Sequence, residues 1–276
     1  MEISYADITC LEMIDGGTFG DVFEAIWNSK GLKIAVKKIR IPSEEEEEMK
    51  VQREIQNLKD LEHTNIVKLY GFSKDPENKI CIVLEYAECG SLYKYLHQTQ
   101  YHIPNDLKID WMLQCAEGME YLHEEKTFHR DLKTKNLLLF NQYRTLKICD
   151  FGTVKEITTI NTELTGTCGY MAPEVCENNG KYTEKCDVFS FGIVLWEVLA
   201  RKKPFYNYEN INELALLNKV CKGARPKISD IEEHEDTDNL KPIFKMCWQH
   251  EPERRLTMKK VVCIIKNHKK NMLYRV

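Results

Sequence analysis

Residues 128–136 read Phe128-His129-Arg130-Asp131-Leu132-Lys133-Thr134-Lys135-Asn136. Fourteen positions beyond Asn136 comes Asp150, within Lys147-Ile148-Cys149-Asp150-Phe151-Gly152. An ionised Asp131 only accepts hydrogen bonds, so it can orient a hydroxyl by taking its proton-bearing bond. Asn136 offers a neutral oxygen to a divalent cation, and Asp150 offers a carboxylate at the end of a short strand. Gly152 allows the sharp change of backbone direction that follows. Either segment alone would pass for a polar surface turn. In this order and at this distance they argue for one site.

Upstream, Ile34-Ala35-Val36-Lys37 lies in a β-branched run, Lys33 to Ile39, that reads as a strand; Lys79 to Leu84 reads as another. Between them Val51, Ile55, Leu58 and Leu61 recur at spacings of three and four, the stripe of one amphipathic helix. The acidic run Glu44 to Glu48 suits the entry to that helix, where the dipole favours acids. Glu54 on the same helix is the natural ion-pair partner for Lys37. Earlier still, Ile14-Asp15-Gly16-Gly17-Thr18-Phe19-Gly20-Asp21-Val22 is a glycine-rich turn of the kind that covers phosphates, with Asp15 where a first glycine would serve best. Downstream, Met171-Ala172-Pro173-Glu174 closes a segment carrying Thr158, Thr159, Thr162, Thr165 and Thr167. Together these groups are what phosphoryl transfer from ATP with Mg²⁺ requires. Lys37 would hold the α- and β-phosphates, Lys133 would balance charge, Asn136 and Asp150 would hold metal, and Asp131 would orient the acceptor. Arg130, beside Asp131, reads as a buried cation seeking an anion that a phosphothreonine would supply.

The surrounding pattern is α+β, with a strand-rich first third and a helix-rich remainder. A short hinge near Glu85 to Gly90 joins them, and such a junction is where a ligand cleft is expected. Trp111 to His123 reads as an amphipathic helix. Val188 to Leu199 is apolar all round and reads as a buried helix, with Asp187 placed to cap it.

The 39 basic residues against 43 acidic ones give a formal net charge of −4, so no global field favours a nucleic acid or an anionic membrane. The basic stretch Lys259 to Arg275, interleaved with Val261, Val262, Ile264 and Ile265, reads as a helix with one solvated basic face. MEISYADITC lacks a basic region followed by an apolar stretch, and no run is long enough to span a bilayer. Eleven cysteines without a C-x-x-C pair fit free thiols in a reducing compartment. A cytoplasmic location is expected.

Across about residues 8 to 270 the chain resembles the protein kinase family, serine/threonine type. Several more specific stretches resemble the transforming-growth-factor-β-activated group of MAP kinase kinase kinases. These are Val83 to Glu88, Gly90 to Tyr93, Leu146 to Thr153, Met171 to Val175 and Tyr182 to Phe189. The resemblance implies a bilobal kinase fold, with a small β-rich N-lobe bearing one helix (about 8–85), a hinge (about 86–90) and a larger α-helical C-lobe (about 91–270). It implies an ATP site from Ile14, Gly16, Gly17, Phe19, Gly20, Val22, Ala35, Lys37, Glu85, Ala87 and Leu138, with Leu84 as gatekeeper. It further implies that Leu58, Leu69, His129 and Phe151 stack, that Asp187 anchors the catalytic-loop backbone, and that Glu174 pairs with Arg255. Leu256 departs from the family, standing where a proline commonly follows the arginine. Lys133 and Thr167 are the serine/threonine signature, and Thr159, Thr162 and Thr167 align with activation-loop phosphorylation sites.

Protein substrates, MAP kinase kinases among them, are expected partners, with an activator protein on the C-lobe and no nucleic acid or membrane. A weakly active scaffold is the alternative, although such chains usually lack Lys37, Asp131 or Asp150, and all three are present. If Asp15 weakens ATP binding by repelling phosphate, Asp15→Gly lowers the KM for ATP. An unchanged KM would show the carboxylate to be harmless.

Overall fold

The computed structural model describes residues 1–17, 20–39, 61–150, 168–177, 182–208 and 210–273. Contacts group the chain into two compact units, one of Met1–Glu88 and one of Cys89–Phe151 with Gly166–Val276. The first is built on a sheet and the second is mostly helical, the α+β class expected from sequence.

In the first unit β1 (Ile8–Gly17), β2 (Gly20–Trp27), β3 (Leu32–Ile39), β4 (Leu69–Lys74) and β5 (Ile80–Glu85) form one antiparallel sheet, ordered β1-β2-β3-β5-β4. Alternation along β3 gives the sheet two buried faces. Ile34 and Val36 pack with Ile8, Ala25, Trp27, Cys81 and Val83. Ile39 packs with Leu69, Ile80 and Ile82 in a separate cluster. Lys37 lies opposite both Val22 and Ile82, and Ala35 opposite Leu84, so Val22, Ala35 and Lys37 share the face of Ile39. Gly20 (φ 151°) lets the hairpin lie close on β3, because a Cβ there would fall 2.1 Å from the Lys38 carbonyl oxygen. The helix expected around Val51 to Leu61, with Glu54, lies almost wholly outside the described residues.

The second unit runs through α1 (Leu92–Gln98), α2 (Asn105–Glu124), the hairpin β6 (Leu137–Phe140) and β7 (Thr145–Ile148), α3 (Pro173–Glu177) and α4 (Glu184–Ala200). It continues through α5 (Glu213–Cys221), α6 (Glu235–Asp238), α7 (Lys241–Cys247) and α8 (Met258–Leu273). Every residue of α4 from Cys186 to Leu199 is buried, as its apolar run predicts. Its cap differs from the expectation. Thr183 is the N-cap, accepting from the Lys185 N–H, and Asp187 lies inside the helix, fully buried. The α2 helix starts before the amphipathic run at Trp111, and its face holds the hairpin. Trp111 Nε1 donates to the Tyr143 carbonyl (2.6 Å), and Gln114 Oε1 accepts from the Leu146 N–H (2.6 Å). Nor is the basic face of α8 wholly solvated, for Lys266 pairs with Glu117 (2.8 Å) and Lys269 with Asp110, both on α2. No helix among the described residues is long and apolar enough to cross a membrane.

Helices α4 and α7 touch at Gly192. A Cβ there would meet Cys247 Cβ at 2.9 Å, the Phe244 carbonyl oxygen at 3.2 Å and the Trp248 nitrogen at 3.3 Å. Two of these are backbone atoms, which cannot swing aside. Gly192→Ala is therefore expected to destabilise the protein by about 1–3 kcal/mol, read as a lower urea midpoint at unchanged m.

Candidate active site

Residues 128–136 run from the end of α2 to β6, and their backbone hangs on one side chain. Asp187, fully buried in α4, accepts from the His129 N–H (2.9 Å) and the Arg130 N–H (3.0 Å). The same carboxylate meets His123 Nε2 (3.0 Å) and accepts from the Tyr182 hydroxyl (2.5 Å). Burial pushes the Asp187 carboxyl up. The hydrogen bond and charge of His123, with the Tyr182 hydroxyl, outweigh burial and hold it below the usual carboxylate range. Burial drives His129 the other way, lowering its pKa and favouring neutral imidazole, whose Nδ1 accepts from the Asp131 N–H (3.3 Å).

The anchored loop turns Asp131, 8% exposed, toward two later residues of its own segment. Lys133 Nζ lies 2.8 Å from Asp131 Oδ2. Asn136 Nδ2 donates to the Asp131 carbonyl (2.8 Å) and to its Oδ2 (3.2 Å). The Cys149 N–H donates to the Asn136 carbonyl (2.9 Å), which ties the loop to the residue before Asp150. Asp150 is exposed and holds a left-handed backbone (φ 61°), an uncommon conformation for a non-glycine residue. So Asp131, Lys133 and Asn136 are in direct contact, and Asp150 follows β7, the strand that pairs with β6 directly after them. Leu138 follows in β6, half-buried.

The remaining expected ATP residues lie in the first unit. Lys37 is 8% exposed despite its charge, and Val22 and Ala35 share its face of the sheet. Ile14, Gly16 and Gly17 lie at the end of β1, with Gly17 opposite Gly20. Asp15 is exposed and accepts from the N–H of Gly16 (3.0 Å), folding its carboxylate onto its own backbone. Glu85 ends β5, its N–H bonded to the Lys68 carbonyl (2.9 Å), and Ala87 follows half-buried. Phe19, Glu54, Leu58, Phe151, Thr159, Thr162 and Thr167 lie outside the described residues.

Beyond the catalytic loop, Glu174 and Arg255 form a two-pronged ion pair, Nη1–Oε1 2.6 Å and Nη2–Oε2 2.8 Å. Burial raises the Glu174 carboxyl, but the hydrogen bond and charge of Arg255 more than reverse it. Arg130, expected to be a buried cation, is half-buried with its guanidinium 5.5 Å from the Tyr182 ring centre.

A family model described as protein tyrosine and serine/threonine kinase matches residues 8–265. The chain belongs to the protein kinase family. It is 41% identical to mitogen-activated protein kinase kinase kinase 7 of Homo sapiens, over 96% of this chain and 42% of that protein. Identity to the protein of the same name in Drosophila melanogaster is 37%, over 95% of this chain and 38% of that one. A probable serine/threonine-protein kinase of Dictyostelium discoideum is 33% identical, over 96% of this chain and 28% of its own length. The chain thus spans less than half the length of these three relatives.

Within the kinase fold of the second unit, sequence reading missed Tyr182 and His123 as partners of Asp187, and Glu197 altogether. A signal existed. Asp187 and Glu197 are the two carboxylates in the mostly apolar stretch Cys186 to Leu199, and burial makes such residues rare unless they are paired. Asn at position 187 could accept from one loop N–H but would turn a donor toward the other. Asp187→Asn is expected to cost about 3 kcal/mol near neutral pH. Because the folded pKa is depressed, the wild-type advantage is full above the unfolded value, about 3.9, and fades as pH falls through and below it. Denaturant titration of both proteins from pH 7 down to pH 3 checks magnitude and sign together.

Proposed function

We propose that the chain is an ATP-dependent serine/threonine protein kinase that acts as a MAP kinase kinase kinase, phosphorylating serine or threonine on downstream kinases. The observation that carries this reading is the Asp131 carboxylate held between Lys133 and Asn136 on a loop pinned by Asp187. Asp131 accepts the hydrogen bond of the substrate hydroxyl and orients it toward the phosphoryl group. Lys133, already within 2.8 Å of that carboxylate, supplies positive charge beside the transferring group.

Membership of the family implies ATP and a divalent cation. The donor set fits Mg²⁺: Asn136 commits Nδ2 to Asp131, so its ligating atom is Oδ1, and Asp150 adds a carboxylate. A cation held by these two residues would supply charge neutralisation to the phosphates. In the first unit Lys37 would hold the phosphates, while Val22 and Ala35, on the same face of the sheet, would offer an apolar surface to the base. Thr159, Thr162 and Thr167 are the sites whose phosphorylation raises activity. Serine/threonine over tyrosine specificity rests on Lys133 two residues after Asp131, and the MAP kinase kinase kinase role rests on the named relatives.

Purified protein incubated with labelled ATP, Mg²⁺ and a panel of inactive MAP kinase kinases is expected to label one or more on serine or threonine. Asp131→Asn should cut the rate by at least about 100-fold, the scale of a lost general base. Equal labelling by both proteins, or none by the wild type, would refute the assignment.

A further inference from the structure

Thr134 sits between the two residues that reach Asp131, and its side chain is fully buried. Its hydroxyl donates to Glu197 Oε1 at 3.0 Å. Glu197 lies ten residues beyond Asp187 in α4, fully buried, and is shared among several elements. His97 of α1 donates from Nε2 to the same Oε1 (2.8 Å), and the Tyr170 hydroxyl donates to Oε2 (2.6 Å). The Tyr170 backbone is held too, its carbonyl accepting from Ser190 of α4 (2.8 Å). Burial, then the charge of Glu197, lifts the Tyr170 phenol well above its ordinary value, so it remains a donor. Glu197 therefore receives one bond each from α1, the catalytic loop and the turn at residues 168–170.

Lys133 has an extended backbone (φ −157°, ψ 162°), and a 3₁₀ turn over Thr134–Asn136 begins directly after it. The turn is closed by the Asn136 N–H donating to the Lys133 carbonyl (2.9 Å). Thr134 is the first residue of that turn. Asp187 pins the backbone before Asp131, at residues 129 and 130, and Thr134 gives it a second pin behind.

We propose that Thr134 is a positioning residue of the phosphotransfer loop: its hydroxyl, fixed by Glu197, sets the turn that brings Lys133 and Asn136 onto Asp131. The proposal rests on the kinase activity inferred above, since positioning has meaning only for that reaction. Thr134→Val removes the hydroxyl at nearly constant volume, and Thr134→Ser keeps it. Steady-state phosphorylation of a MAP kinase kinase, with amide hydrogen exchange at residues 134–136 and 149, separates the possibilities.

Thr134→Val is expected to lower kcat about ten-fold with the KM for ATP within about two-fold, as for a misplaced catalytic group. Exchange at the Asn136 amide should quicken in parallel, and Thr134→Ser should restore both. A Thr134→Val protein with wild-type kcat overturns the proposal, whatever its exchange. So does a fall in kcat with exchange unchanged, because the effect would then lie elsewhere. If the wild-type protein itself transfers no phosphate, the kinase reading fails instead. Exchange alone then decides whether Thr134 pins the turn.

Discussion

A carboxylate buried in an apolar helix is costly unless the fold surrounds it with donors, and Asp187 has four. Two are backbone N–H groups of a loop that forms no ladder of its own at that point, so the carboxylate satisfies them and they satisfy it. His123 and Tyr182 complete the shell from α2 and from the segment before α4. The consequence is mechanical. Arg130 takes a left-handed backbone (φ 68°), which a non-glycine residue adopts only when its surroundings over-determine it. The two N–H bonds to Asp187 supply that determination, and Asp131 leaves the loop in the direction they set.

The segment after residue 168 is secured in a similar way, by an ion pair in place of a backbone anchor. Arg255 spends its whole guanidinium: both Nη atoms reach Glu174, and Nε, Nη1 and Nη2 also donate to the carbonyls of Gln249, Lys185 and His250. The ring of Phe189 in α4 is close to both this cation and Arg225, their guanidinium carbons 5.1 and 4.7 Å from its centre. Burial and the neighbouring charge of Arg255 lower Arg225 to about 10. A buried and a half-buried cation are tolerated side by side here because one meets a carboxylate and both meet carbonyls and a π-face.

What could be read from sequence follows the range of the interactions. Strands β3 and β5 begin or end within a residue of their β-branched runs, because alternation over six to eight residues is a local signal. Asp131, Lys133 and Asn136 fall within six positions, so their proximity is legible as a local turn even though the groups that hold the turn are distant. Asp187 reads as a cap because an acid before an apolar run usually is one. Thr183, four residues earlier, also satisfies the cap chemistry, and only tertiary burial decides between them. The partners of Glu197 stand 100, 63 and 27 residues away in sequence, and no spacing rule reaches that far. Nor does the pattern of α8 reveal that its lysines lie along the acids of α2, since a basic face looks the same whether it meets water or carboxylates.

Both Asp187 and Glu197 sit on α4, and this has a physical reason. A helix whose middle is buried on every side cannot use solvent to satisfy a polar side chain, so each polar residue must be matched by groups from neighbouring segments. Each carboxylate of this buried helix takes donors from a helix and from irregular segments together: His123 of α2 with the backbone of residues 129–130 at one, His97 of α1 with Thr134 and Tyr170 at the other. The helix itself is held by hydrophobic burial along its length, including Phe189, Phe191, Leu195 and Trp196, so it can impose its geometry without yielding. Function in this unit lies on loops, yet the positions of those loops are set by an element that contributes no reacting group.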